Sequence, residues 1–570
     1  MNYRSREHVS LTMEEEMGAV PFSSYPRPQL KRDSYLSLNG PWDEGIMVPF
    51  PLESGLSGFT GEDCSHYTYR RTVEIPEDFV KDLILLHFQA VDCLADVYVD
   101  GEHVGAHAGG YLPFTCDITR FGAGVHELKV AIVDETSSDY PYGKQTLKPG
   151  GMWYTPVSGI WQSVWIESVP KDYIRAIRLT PSLEDVKVKI EGGTGIYSVR
   201  VYDRQNPDEG TCIFEQTFEG TDFTIKVLDP KLWSPEEPNL YGLVIESGED
   251  KITSYFGLRT IGVKEINGRK RICLNGRPYF FHGVLDQGYY PQGIFLPNNE
   301  SGYGKDILKM KALGFNTLRK HIKVEPACFY EACDRLGMIV FQDMVNNAPY
   351  SFFRDTALPT VFHFRVPDRR RHNNPKTRNI FLEHAKETVS HLYNYPCICY
   401  YTIFNEGWGQ FHADAVYDKM KQWDETRIID ATSGWFHQKK SDVLSTHCYF
   451  KPVRPVESKR PVIVSEMGGY SLQVPGHYYN PNQNYGYKTF RNAKELTDAV
   501  TALYENEIIP YIAKGLCGSI YTQLSDVEDE TNGFYTYDRR VLKVEQEAMC
   551  RIAEKLHRTM KKETDNEVGS

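Results

Sequence analysis

No stretch of the 570-residue chain approaches the roughly 20 consecutive apolar residues that cross a bilayer, so no membrane-spanning helix is expected. The first eighteen residues, MNYRSREHVSLTMEEEMG, hold no apolar core, and no secretory leader is expected there. Positive charge is short as well. Sixty-four Lys and Arg stand against 76 Asp and Glu, a formal charge of −12, and a nucleic-acid-binding domain is expected to be basic. The twelve cysteines include no CxxC or CxxxC pair, so neither a zinc site nor a disulfide framework is expected. Reduced thiols in a cytoplasmic setting fit that scatter. No nucleotide, flavin or haem motif is found, and no cofactor is expected.

What is present is an ordinary globular balance of 41% hydrophobic and 25% charged residues, which excludes wholesale disorder. At roughly 150 residues per domain the length suggests three to four domains. Aromatics reach 13%, with 37 Tyr, 28 Phe and 8 Trp. Most are expected in cores, where rings bury large apolar areas, although aromatic faces also stack on sugar rings.

The chain changes character twice. Over 1–170, short β-branched or aromatic runs at 67–75, 83–91, 93–100, 126–134 and 161–169 are separated by Gly, Asp and Pro, and a β-sandwich is expected. Residues 171–263 again read as about seven short strands, suited to an immunoglobulin-like sandwich without the Cys–Trp–Cys pattern. From 264 to 570 apolar runs alternate with helical stretches. Strands are expected at 279–285, 317–322, 339–344, 397–406, 427–434, 442–450, 461–469 and 518–526. Helices are expected at 304–314, 325–337, 381–394, 414–424, 495–515 and 545–560, and the last ten residues are expected to fray. Eight strands and a closing helix in about 300 residues match a (β/α)8 barrel.

Such barrels carry their sites at the C-terminal strand ends. Reading only those ends gives Asp286 and Gln287 after the first strand, Arg319 and His321 at the second, and Asp343 at the third. Asn405 and Glu406 end the fourth, with Trp408 just beyond; Trp435 follows the fifth, His447 ends the sixth, Glu466 the seventh and Gln523 the eighth. Glu406 and Glu466 each abut a buried apolar run, where a carboxylate is costly unless paired, hydrogen-bonded or neutral. One alone is more often a strand cap or the partner of a structural arginine. Two, on strands four and seven, point to the carboxylate pair of a retaining glycosidase, whose members sit roughly 5–5.5 Å apart.

The order sandwich, immunoglobulin-like domain, barrel resembles glycoside hydrolase family 2, the β-galactosidase and β-glucuronidase family, over nearly the whole chain. LNGPW (38–42), YRRTVEIP (69–76), DVYVDGEHVGAHAGGYLPFTCDIT (96–119) and SGIWQSVWIE (158–167) resemble its jelly-roll sugar-binding sandwich. FGLRTI (256–261) is similar to its junction and LNGRPYFFHGV (274–284) to its first barrel strand; FNEGW (404–408) and SEMGG (465–469) look like its acid/base and nucleophile motifs. The resemblance implies Glu406 as acid/base, Glu466 as nucleophile, Asn405 on the sugar 2-hydroxyl, and Arg319 holding the nucleophile ionised. His321, His447, Asp286, Gln287 and Gln523 are candidate hydroxyl contacts, Trp408 and Trp435 candidate stacking platforms. Asp343 is expected either to bind a hydroxyl or to support Arg319.

Departures concern the substrate. The eighth strand carries Tyr521 and Gln523 where the family usually has a Trp, and no convincing Asn-x-Lys element of the β-glucuronidase kind is found. The β-galactosidase magnesium pattern cannot be placed, so no metal is expected. The stretch between LNGPW and VPF (48–50) is short. Residues 345–380 hold Arg354, Arg365, Arg369, Arg370, Arg371, Lys376 and Arg378 against Asp355 and Asp368. That basic loop is expected to be a solvated face or subunit contact, with recognition of an acidic sugar as the alternative. The segment PYGKQTLKPGG (141–151) is a further candidate to reach the barrel mouth. The expectation is an exo-β-glycosidase, β-galactosidase-like by default, acting on a small glycoside or oligosaccharide, with homo-oligomers common in the family. A β-uronidase and a non-catalytic carbohydrate-binding barrel are the alternatives.

Overall fold

A computed structural model describes residues 20–360, 367–449, 451–454 and 458–565. The N-terminal stretch tested for a leader, Arg365 of the basic loop and the last five residues lie outside these. Residues 561–565, expected to fray, instead continue the closing helix.

The first unit is a sandwich of two four-stranded antiparallel sheets, one built on Leu83–Phe88 and Val164–Val169, the other on His66–Ile75 and Gly124–Val133. His66–Ile75 turns only every other side chain inward over its second half, as expected of a strand with one wet face. The second unit stacks a three-stranded sheet on a four-stranded one. Its seven strands include Cys212–Glu219, an edge strand with almost no buried residue that the sequence pattern does not disclose. A buried Arg32 ties the two units together, bonding Glu167 at 3.1 Å and Asp250 at 2.8 Å.

The barrel strands are β1 (Phe281–Asp286), β2 (Thr317–Lys320), β3 (Ile339–Asp343), β4 (Ile398–Asn405), β5 (Ile428–Ser433), β6 (Leu444–Cys448), β7 (Val462–Gly468) and β8 (Leu516–Thr522). They form one parallel sheet ordered β5-β4-β3-β2-β1-β8-β7-β6, nearly closed where β5 meets β6. All eight residues of β4 are buried, which is why it reads as a continuous apolar run instead of an alternation. The covering helices are α1 (Ser301–Ala312), α2 (Ala327–Leu336), α3 (Pro375–Leu392), α4 (Ala413–Trp423), α5 (Ala493–Leu503) and α6 (Gln546–Asp565). The helix expected over 495–515 breaks into a π turn at Tyr504–Ile508 ahead of Pro510, which has no N–H to continue the ladder. Arg259 fastens the second unit to the barrel floor through Pro396 O at 2.9 Å and Ile398 O at 2.6 Å. Among the described residues no helix is long and apolar enough to cross a membrane.

Candidate active site

Arg319 is the hub of the mouth. It projects from β2 and its side chain is 1% exposed, so each of its donors needs an acceptor. Nε meets Asp343 Oδ1 at 3.0 Å, Nη1 meets Glu466 Oε1 at 2.9 Å and Ser465 O at 3.0 Å, and Nη2 meets Asn405 Oδ1 at 2.9 Å and Ser433 Oγ at 3.2 Å. One guanidinium thus ties the ends of β2, β3, β4, β5 and β7. Asp343 supports Arg319, as one of its two expected roles required, and its other oxygen takes His321 Nδ1 at 2.8 Å. Burial pulls the His321 pKa down, which favours a neutral ring.

Glu466 receives a second donor, which does not lie at a strand end. Tyr449, just past β6, donates its phenol to Glu466 Oε2 at 2.5 Å. Burial by itself would push the Glu466 carboxyl up. His447, whose Nδ1 lies 3.4 Å from Oε2, and Arg319, together with the Tyr449 bond, outweigh burial and hold it down at about 2. The only signal for Tyr449 in the sequence is its place two residues after His447.

Glu406 is held differently. It sits on a turn after β4 with φ +51°, a left-handed conformation that is unfavourable for a side chain with a Cβ. Its backbone N–H is fixed by Ser433 O at 3.1 Å. Among the described residues its one side-chain bond is with His447 Nδ1 at 2.8 Å, and the same nitrogen lies 3.4 Å from Glu466 Oε2. His447 Nε2 faces Arg319 Nη1 at 3.4 Å, and a guanidinium can only donate; the ring proton therefore belongs on Nδ1, between the carboxylates. Gly434 borders this contact with φ +90°, a backbone conformation that favours glycine. One oxygen of each carboxylate and a His447 nitrogen all lie within 4.8 Å of one another. Arg319 already occupies the Glu466 side of that trio, so the set suits a shared proton better than a divalent ion.

Other expected residues separate into two groups. Trp435 is half-buried beside His447, its ring centroid 5.8 Å away and its Nε1 bonded to Asp355 O at 3.2 Å, which leaves ring surface at the mouth. Trp408, by contrast, is not a platform. The turn at Gly407 sends it inward, where it is 3% exposed, donates Nε1 to Ala348 O at 2.8 Å and packs edge-on against Trp153. Asp286 is spent on Lys320 at 2.6 Å, within a buried network that includes Glu325. Gln523 Nε2 is taken up by Glu530 at 3.1 Å and Asn532 at 2.8 Å, while its buried Oε1 has no partner among the described residues. Gln287 is buried and its Oε1 has no partner among the described residues.

Two arginines of the basic loop are held within it. Buried Asp355 takes both Arg354 and Arg371; Arg371 also stacks on Phe436 at 3.7 Å and donates to Gly407 O at 3.0 Å. Arg378 bonds His372 O, and Arg369 and Arg370 are exposed. Both Asn-x-Lys triplets of the chain are helix caps, Asn374 for α3 and Asn492 for α5.

The segment over 141–151 does reach the barrel. Tyr142 N and Oη bond Asn346 O and Ala348 O, each at 3.1 Å, while Thr155 N bonds Glu528 at 2.9 Å and Tyr154 Oη bonds Glu530. A sandwich loop is therefore part of the mouth.

This architecture has a family. The profile described as "Glycosyl hydrolases family 2, sugar binding domain" matches residues 46–170, "Glycosyl hydrolases family 2" matches 173–259, and "Glycosyl hydrolases family 2, TIM barrel domain" matches 265–488. The chain belongs to glycoside hydrolase family 2. It is 25% identical over 350 residues to a β-galactosidase of Thermoanaerobacter pseudethanolicus, covering 58% of this chain and 43% of that protein. It is 25% identical over 294 residues to a putative β-glucuronidase of Formosa agariphila, covering 48% of this chain and 34% of that one. The chain thus spans less than half the length of these curated relatives. Among solved structures, a β-D-glucuronidase of Dictyoglomus thermophilum superposes with a TM-score of 0.72 at 19% identity, covering 93% of this chain and 98% of that one. A β-galacturonidase of Eisenbergiella tayi bound to galacturonate gives 0.66 at 20%, covering 94% and 98%. At these identities the likeness to the solved structures is one of fold.

Proposed function

We propose that the chain is a retaining exo-β-glycosidase that removes a terminal β-linked sugar through a glycosyl-enzyme. The observation that carries this reading is the carboxylate pair on β4 and β7, with an oxygen of each within 4.8 Å of the other. Their unlike surroundings divide the work. Glu466, held ionised by Arg319 and Tyr449, attacks the anomeric carbon as the bond to the leaving oxygen breaks. Glu406, more exposed and bonded to His447, gives that oxygen a proton and then takes one from the water that releases the sugar.

Asn405 supports the same reading. Both of its bonds use the amide oxygen, to Arg319 and to Ser433 Oγ at 2.8 Å, so its NH2 carries no protein partner among the described residues. That group is offered to the sugar 2-hydroxyl. The sandwich loop seated on Asn346 supports action at a chain end, because it occupies one side of the mouth. Names among the relatives divide between β-galactosidase and β-glucuronidase or β-galacturonidase.

A panel of nitrophenyl glycosides tests the proposal. Wild type is expected to release nitrophenol from a β-glycoside with retention at the anomeric carbon, and Glu466→Ala to abolish turnover. Silence of the wild type across neutral and acidic β-glycosides, with sugars still bound, would favour a carbohydrate-binding barrel.

A further inference from the structure

We infer that Lys144, carried into the barrel mouth by the sandwich loop, is the cation that recognises the substrate, and that the substrate is a β-hexuronide whose carboxylate it binds. The inference rests on the glycosidase reading above and adds the class of sugar.

Lys144 is fixed in place on both sides. Before it, Gly143 has φ +66°, and a Cβ there would stand 2.8 Å from Ile322 O, the residue after His321, so the chain passes directly over the end of β2. After it, Gln145 is buried and bonds Asp92 at 2.9 Å and Tyr111 Oη at 3.2 Å. The carbonyl of Lys144 itself accepts Tyr154 N at 3.0 Å. The backbone is thus anchored to the sandwich, while the side chain stays half-buried with Nζ 5.4 Å from the centre of the Trp153 ring.

No acidic group among the described residues lies within 4.0 Å of that ammonium. The neighbouring cations are all engaged. Arg319 has Asp343 and Glu466, Lys320 has Asp286 and Glu325, Lys323 has Glu325, and Arg354 and Arg371 share Asp355. The charge on Lys144 acts on His321 at the end of β2 and on Glu530 in the loop after β8. It is carried over the end of β2, beside Trp153, whose ring packs on Tyr350 and Trp408 beyond β3 and β4. Glu530 forms no ion pair with it within 4.0 Å, and its Oε2 accepts from Tyr154 and Gln523. A half-buried ammonium facing a substrate cleft gains most from an anion that arrives with the substrate, and lysine serves such an anion as a compact point charge. Of the basic loop after β3, Arg354 and Arg371 are already held by Asp355, whereas Lys144 from the sandwich has no acidic partner within 4.0 Å among the described residues.

The test compares two pairs of nitrophenyl substrates that differ only at C6, β-galacturonide against β-galactoside and β-glucuronide against β-glucoside. Wild type is expected to prefer the acid in at least one pair. Lys144→Gln is expected to lower that acid-to-neutral ratio of kcat/KM by about 10- to 150-fold, chiefly through KM, the range of one hydrogen bond to a charged group. Lys144→Arg is expected to restore part of it. A lesion in folding would lower both members of a pair and leave the ratio alone. A wild type that prefers the neutral sugar in both pairs, or a Lys144→Gln ratio equal to wild type, overturns the inference while leaving the glycosidase standing. If no substrate turns over, the glycosidase reading fails, and calorimetric binding of galacturonate and glucuronate against galactose and glucose decides the role of Lys144. Acids bound no more tightly than neutral sugars, or equally well by Lys144→Gln, would overturn it.

Discussion

Replacing Tyr449 by Phe removes one oxygen and leaves the ring stack on Tyr487, whose centroid is 4.0 Å away. The lost atom makes two bonds, to Glu466 Oε2 at 2.5 Å and with Thr522 Oγ1 at 2.8 Å. Burial and the Glu466 charge push the Tyr449 pKa well up, so the phenol remains a donor at every working pH. A hydrogen bond to a charged group contributes about 1.5–3 kcal/mol, and about 1.4 kcal/mol corresponds to one pH unit of titration. Losing it disfavours the ionised carboxylate, so the Glu466 pKa rises. The acid limb of kcat/KM against pH is expected to move up by roughly one to two pH units. Stability follows the same sign. A carboxyl depressed from 4.5 to about 2 lends stability that is present above pH 4.5 and lost as pH falls toward 2. Tyr449→Phe is therefore expected to narrow that window, lowering Tm at pH 7 more than at pH 3. The assay is a pH–rate series on the best panel substrate, with thermal melts at both pH values. An acid limb left in place, with equal loss of Tm at the two pH values, would refute the argument.

Glu406→Ala is expected to lose little kcat/KM on a dinitrophenyl glycoside, whose leaving group needs no proton, and far more on an alkyl or sugar aglycone, while kcat falls on both because no base activates the water; equal losses of kcat/KM would remove its acid role. Azide is expected to rescue the same variant and give a glycosyl azide, which product analysis detects. The two tryptophans should separate by readout. Trp408→Phe breaks the bond to Ala348 O and leaves a void, and is expected to cost about 1–3 kcal/mol in urea unfolding. Trp435→Ala is expected to raise KM with little change in stability, and the opposite pattern would exchange their roles.

The barrel was legible in the sequence because parallel strands buried on both faces are continuous apolar runs, and each of the eight expected runs contains or overlaps an observed strand. The carboxylates were legible for the same reason, since an acid at the end of such a run is conspicuous. Cys212–Glu219 was missed because an edge strand with polar faces has no burial pattern to read. Trp408 and Trp435 look alike in sequence, both lying just beyond a strand end. A turn at Gly407 buries one, and only backbone geometry reveals it. Tyr449 and Lys144 escaped for a deeper reason. Their surroundings come from elements distant in sequence, β7 for the tyrosine and β2 with the loop after β8 for the lysine. For the basic loop, counting charges does not reveal which of its arginines Asp355 absorbs.

The most direct test of the mechanism is to find which residue carries the sugar. Wild type would be incubated with activated 2-deoxy-2-fluoro β-glycosides of the sugar that turns over best, digested, and read by mass spectrometry. The added mass of one fluorosugar is expected on the peptide bearing Glu466, and Glu466→Gln is expected to remain unlabelled. A label on Glu406 or any other residue, or labelling of Glu466→Gln equal to wild type, would contradict the assignment of Glu466 as the nucleophile.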